Sequence, residues 1–290
     1  MHRFVSLILI STLTILSAGC LTDNPFSAAD GNICLLTPGE GFPIYGGEGD
    51  YSVFACDEMP GIPANYTFGS VTILPGNATS PHRLTGSSEF VCVIGGEAEI
   101  RCGNTTVTAR EGEVVILPDG VLQSIAAIGD AELRYIDVIQ PPFSEVNHVT
   151  GADLATIPAL PDGVPIVIPD PRGGIEWNIG SDMMIYTIAN PVLMPKKNML
   201  IDYSVAYAEL LPGGSADTNC LTGASELIYV IEGEIAVFSP EGYVIRVPAG
   251  RAAWIAPDQA KGYRNVGEVD ATMLSFVDPP WTLDMIVAVE

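Results

Sequence analysis

The sequence predicts an all-β protein built from two like modules, and three observations support this. Short runs rich in Val, Ile and Tyr are separated by Gly, Pro, Asn and Asp at intervals of about ten residues, the spacing of a sandwich or barrel. No stretch has the apolar periodicity of an amphipathic helix. Residues 74–100 and 211–237 align without gaps at a constant offset of 137 and are identical at 12 of 27 positions, so a module has been duplicated.

The duplication extends past that block. Gly112 and Gly250, 138 residues apart, each open an apolar run that ends in a Pro-Asp turn, Pro118-Asp119 and Pro257-Asp258. Pro141-Pro142-Phe143 and Pro279-Pro280-Trp281 close the modules at the same offset. Each unit spans about 110 to 130 residues, the size of one domain. Strands are expected in the first module at 66–74, 89–94, 97–102, 114–117, 123–128 and 131–139, and in the second at 204–211, 226–231, 234–238, 244–247, 252–255, 261–265 and 271–277. The modules are assigned to 31–148 and 175–290. Residues 149–174, with Pro158, Pro161, Pro165, Pro169 and Pro171, are expected to form a stiff extended connector.

The first 20 residues are expected to be a signal peptide. His2 and Arg3 precede a thirteen-residue apolar run, too short for a spanning helix of about 20 residues but suited to secretion. Its ending, Ser17-Ala18-Gly19-Cys20, resembles a lipobox, which makes Cys20 the lipidation candidate and residues 21–30 a polar tether. Ordinary cleavage and a free secreted protein is the alternative. The expected location is therefore the cell surface, lipid-anchored to the outer face of the cytoplasmic membrane.

Composition agrees with export. A formal net charge of −23 with three lysines repels nucleic acid and anionic lipid, which excludes a DNA- or RNA-binding role. Asn65, Asn77 and Asn104 stand in Asn-x-Ser/Thr sites compatible with glycosylation. In an oxidising compartment Cys34 and Cys56, flanking a Gly- and Pro-rich stretch, are expected to pair. If Gly95-Gly96 is a two-residue hairpin turn, Cys92 faces Glu99 and Cys102 faces Glu89, which puts the two thiols on opposite faces of the sheet; these and Cys220 are expected to be unbonded.

The run Gly76, His82, Leu84, Glu89, Gly96, followed by Gly112, Pro118, Gly120 and Gln123, resembles the two motifs of the cupin superfamily, and the first recurs in the second module. The chain thus looks like a bicupin, two tandem jelly-roll barrels each with a pocket at one mouth. The resemblance implies a divalent metal held by three histidines and a glutamate. Carried over residue by residue, the ligand positions fall on His82, Leu84, Glu89 and Gln123 in the first module and on Asn219, Leu221, Glu226 and Lys261 in the second.

The departures from that pattern decide the functional reading. The chain has three histidines, His2, His82 and His148, so a three-histidine site is excluded in either module. With His148 placed where the first module runs into the connector, His82 is the one imidazole expected to reach a barrel interior. In the second module the ammonium of Lys261 repels cations and is expected to pair with Glu226. In the first, His82, Glu89 and Gln123 either hold a divalent metal weakly, with Cys102 as a further soft donor, or form a buried polar network. No cofactor is expected overall, and no catalytic residue is assigned.

Trp177 and Trp281 are candidates for stacking on a sugar, and Trp254 is expected in the core. Three functions follow. The first is non-catalytic binding of a small molecule, glycan or partner at the two mouths. The second is a metal-dependent hydrolase, isomerase or dioxygenase working from the first barrel, and the third a structural envelope protein. A pseudo-symmetric monomer is favoured over a homodimer.

Overall fold

The computed structural model describes residues 32–45, 47–57, 61–155, 163–179, 182–197 and 199–289. The expected signal peptide, Cys20 and the tether lie outside these residues. Among the described residues the regular structure is strand with a few short 3-10 turns.

Two barrels are built from three sheets. A fourteen-stranded sheet supplies one wall of both barrels, and a five-stranded sheet closes each. The first is closed by strands His148–Thr150, His82–Leu84, Gln123–Ile128, Glu97–Cys102 and Thr105–Arg110. The second is closed by the equivalent set Ile286–Ala288, Ser215–Leu221, Lys261–Asn265, Glu234–Phe238 and Val244–Pro248.

The large sheet is buried on both faces, and this explains its near-continuous apolar strands. In Ser88–Gly95 the residues Phe90 and Cys92 point outward into an inter-module core, while Val91 and Val93 point into the first barrel. Period-two geometry then puts Glu89 inside the barrel. The same parity in Leu133–Gln140 sends Ile136 and Val138 outward and directs Asp137 inward with Leu133 and Tyr135. The inter-module core is rich in rings: Phe68 meets Phe276 at 5.4 Å and Phe54 meets Tyr229 at 5.8 Å. Such contacts tie the modules together well beyond a connector.

Pairing crosses the module boundaries drawn at 31–148 and 175–290. Strand Ile33–Pro38 pairs antiparallel with Ala252–Ile255 of the second barrel, in register Leu36 to Ala252, before Thr37 and Pro38 turn to Ala55 and Phe54 of the first. Conversely, Ile166–Ile168 pairs with Val114–Leu117 of the first barrel. The segment leading into each module thus covers a strand edge of the other. Part of the expected connector is therefore structural: it contains strand Ile166–Ile168 and the turns Gly151–Ala155 and Pro171–Gly173, not an extended spacer. Cys34 and Cys56 form a disulfide beside this crossing.

The expected hairpin at Gly95-Gly96 does not form. Ser88–Gly95 pairs with Val114–Leu117 and Leu133–Gln140, whereas Glu97–Cys102 pairs with Gln123–Ile128 and Thr105–Arg110. The two glycines are where the chain passes from one wall to the other, so Cys92 and Cys102 never share a ladder. Both are free and buried, Cys92 in the inter-module core and Cys102 inside the first barrel. Cys220 is free as well.

Gly96 has φ +77°, and a Cβ there would lie 2.3 Å from the carbonyl oxygen of Glu132. Its counterpart Gly233 has the same φ. Left-handed backbone alone costs a non-glycine residue roughly 1–2 kcal/mol. Gly96→Ala is expected to lower the unfolding free energy by at least about 2 kcal/mol in urea titration, adding the steric clash to that strain.

Candidate functional site

Register assembles the polar groups of each barrel. On one wall of the first, Gln123 stands opposite His82. On the other, Glu89 pairs with Ile139 and Val91 with Asp137, which sets the two acidic side chains diagonally on the inner face. The second barrel repeats this: Lys261 stands opposite Asn219, and Glu226 is diagonal to Ser275.

In the first barrel, His82, Glu89, Gln123 and Asp137 are all buried. His82 Nδ1 donates to the Ser80 carbonyl at 2.9 Å, which leaves Nε2 as the acceptor. Nε2 is reached by the Tyr45 hydroxyl at 3.1 Å and by the Gln123 amide at 3.2 Å. The same amide donates to Glu89. Burial pushes the His82 pKa down to about 4, although the Ser80 carbonyl works the other way, so the ring is neutral.

Glu89 and Asp137 face each other. Burial raises Glu89 to about 7 against the contrary effect of hydrogen bonds from Asp137 and Gln123. Asp137 is raised by burial and by the charge of Glu89. The pair therefore retains a proton where isolated carboxyls would have lost it. The Tyr51 hydroxyl lies close to Asp137 without reaching good hydrogen-bond geometry.

His148 corrects the sequence reading. It belongs to strand His148–Thr150, paired with His82–Leu84, and its ring lies 5.2 Å from that of His82. Two imidazoles, not one, stand at this mouth. They meet edge to face and share no acceptor. Tyr45 and Phe143 pack against His148, and Tyr45 and His148 line a pocket of about 610 Å³ together with Ser80, Pro81 and Leu154.

The second barrel keeps the positions and changes the chemistry. Lys261 Nζ lies 3.1 Å from Glu226 Oε2 and donates to Asn219 Oδ1 at 2.9 Å. Tyr263 donates to Glu226 Oε2 and Ser275 to Oε1, each at 2.6 Å. Burial alone would raise Glu226, but Lys261, Ser275 and Tyr263 hold it below its ordinary value, so it is ionised at neutral pH. Above this floor opens a cavity of about 300 Å³ whose walls include Trp177, Ile185, Leu221, Met273 and Trp281. Trp177 and Trp281 meet edge to face at 5.1 Å. Trp254 is buried in the inter-module core.

The donor sets do not suit the metal implied by the fold. In the second barrel an ammonium occupies a ligand position and the glutamate is already neutralised. In the first, buried Leu84 occupies another, and Gln123 directs N–H groups at His82 and Glu89. Cys102, raised to about 11 by burial and by Glu89, remains a thiol. Among the described residues no group of three His, Cys, Asp or Glu side chains is placed to hold an ion.

Sequence reasoning identified His82, Glu89 and Gln123, and Asn219, Glu226 and Lys261, and the structure brings each trio together. It missed Asp137, Tyr45, His148, Tyr263 and Ser275. Asp137 was detectable as an acid inside the apolar strand Leu133–Gln140, on the same parity as Leu133 and Tyr135. Tyr45 left no sequence signal.

Comparison with known proteins agrees with this architecture. The cupin domain family matches residues 69–139. No curated protein sequence matches the chain. Solved structures of oxalate decarboxylase, among them those of the Bacillus subtilis enzyme, superpose on the chain. One, from work on proton-coupled electron transfer, has a TM-score of 0.67 at 14% identity and covers 91% of this chain and 80% of that one. Another, determined at pH 4.6, has a TM-score of 0.67 at 15% identity and covers 91% and 79%. A third comes from a study of that enzyme's Mn(II) centres. At such identities the likeness is one of fold: two tandem jelly-roll barrels, the first of which matches the cupin domain family.

Two measurements follow from this geometry. Because Glu89 titrates at about 7 in the fold against 4.5 for a free side chain, its contribution is complete below pH 4.5 and is lost as pH rises through 7. Glu89→Gln is therefore expected to gain on the parent between pH 5 and 8, by on the order of 2 kcal/mol, in denaturant titrations across that range. Lys261→Met strands an ionised Glu226 and is expected to cost about 3–5 kcal/mol. The double variant Lys261→Met/Glu226→Gln should recover more than half of that loss by thermal and urea unfolding.

Proposed function

We propose that this bicupin is a metal-independent binding protein, exported and tethered through Cys20, whose second barrel holds a small and largely apolar molecule. The observation that carries this reading is the cavity of about 300 Å³ above the Lys261–Glu226 pair, at the position where the superfamily pattern would hold its metal. A concave apolar pocket with a few convergent polar groups is the general form of a small-molecule site. The first barrel supports the fold with a buried polar network around His82, Gln123 and Glu89. Export is supported by the amino-terminal apolar run and by the Cys34–Cys56 disulfide, which suits an oxidising compartment. The reciprocal pairing of Ile33–Pro38 and Ile166–Ile168 supports a pseudo-symmetric monomer, since each module covers an edge of the other.

The competing reading is a metal-dependent enzyme working from His82, Glu89 and Gln123. It draws on the fold shared with oxalate decarboxylase, and the donor atoms oppose it. Elemental analysis of protein purified without chelator from Mn(II)-supplemented medium separates the two. Substoichiometric metal, unchanged in His82→Ala, is expected. One equivalent of a transition metal that disappears in His82→Ala would replace the binding reading with the enzymatic one.

A further inference from the structure

The floor of the second cavity determines which molecules it accepts. An ammonium has three N–H donors. Asn219 Oδ1 and Glu226 Oε2 take two of those of Lys261, which leaves one for a guest in the cavity it lines. Glu226 offers far less. Its oxygens already accept from Ser275, Tyr263 and Lys261, so it is a satisfied wall group. Thr187 Oγ1 accepts the indole N–H of Trp177 and keeps its own O–H as a weaker, neutral donor on the wall.

Charge narrows the class further. Lys261 and Glu226 are the two charged residues of the lining, and they cancel. A carboxylate guest would bring an uncompensated charge into an apolar space, in a chain of formal charge −23. Removing an ion from water without a counter-charge is strongly unfavourable. A cation gains nothing either, because Glu226 is saturated and Lys261 repels it. A neutral acceptor meets the free N–H and adds no charge.

Shape sets the remaining part. Trp177, Ile185, Leu221, Met273 and Trp281 surround the space with apolar surface. Leu283 and Ile286 line it too, yet are 65% and 39% exposed, so they form an apolar rim open to solvent. This rim is carried by the turn Leu283–Met285 and strand Ile286–Ala288, which pairs with the Asn219 strand. The equivalent strand in the first barrel brings His148 against His82 instead of an apolar rim. At about 30 Å³ per water-sized group, 300 Å³ suits a guest of roughly ten non-hydrogen atoms.

We infer that the second barrel takes an uncharged, mostly hydrocarbon molecule bearing one hydrogen-bond acceptor, such as a ketone, ester or ether oxygen, which accepts from Lys261 Nζ. This rests on the binding function proposed above and specifies its ligand. It excludes small carboxylates as ligands of this site, even though the fold is shared with an oxalate decarboxylase.

Matched probes test it on the mature full chain by isothermal titration: acetophenone, benzoate and ethylbenzene, and the cyclohexyl counterparts of each. The ketones are expected to bind at least about tenfold more tightly than the carboxylates. They should also bind several-fold more tightly than the hydrocarbons, and Ala206→Phe, which fills the cavity from its wall, should abolish binding. In Lys261→Met/Glu226→Gln, which keeps the floor uncharged, the advantage of ketone over hydrocarbon should vanish. Carboxylates binding as well as ketones, with both lost in Ala206→Phe, would overturn the ligand class and leave the binding function standing. Ketone binding unaltered by Ala206→Phe would place it elsewhere and overturn the inference. No binding by any probe would remove the binding function and the inference together.

Discussion

Each barrel carries a glutamate on its inner wall, and a carboxyl group removed from water must be neutralised or fully hydrogen-bonded. The rest of both sites follows from how Glu89 and Glu226 meet that demand. In the second barrel an ammonium and two hydroxyls compensate Glu226 as an anion, and the site above it stays open. In the first, burial keeps a proton on the Glu89–Asp137 pair, while Gln123 bridges Glu89 to a neutral His82. The position of Asp137 in one module is that of Ser275 in the other. This exchange of an acid for a hydroxyl separates the two solutions.

The β class and the duplication were legible because period-two apolar runs and a repeated block are local properties of the chain. The thirteen strands expected were each located to within two residues, whereas Ile33–Pro38, Gly49–Ala55, Thr105–Arg110, Ile175–Ile179, Met183–Ala189 and Ser215–Leu221 were missed. Pairing partners were not legible. The three-residue strands His82–Leu84, His148–Thr150 and Ile166–Ile168 are too short to show alternation, and their existence depends on the edges they meet. The wall switch at Gly95-Gly96 looked like a hairpin turn because both use glycine at positive φ. It is distinguished by the approach of Glu132, which is remote in sequence.

The candidate site was legible to the extent that spacing carried it. His82, Glu89 and Gln123, and their counterparts, converge as the repeat implied, and the pairing of Lys261 with Glu226 followed from charge alone. Asp137, Tyr45 and His148 reach the first mouth from strands and loops outside the repeated block. The cavity itself was not legible, because volume is what remains after packing and no motif encodes a void.

The crossed pairing of Ile33–Pro38 and Ile166–Ile168 has a consequence for how such a chain diversifies. A gene segment cut at the module boundary would yield a unit carrying a ribbon that belongs to its neighbour and lacking its own. Recombination that shuffled one half alone would leave bare β-edges prone to sticking to other chains. An intact scaffold therefore requires both halves together, and side-chain replacement inside the mouths is the change that leaves every β-edge covered.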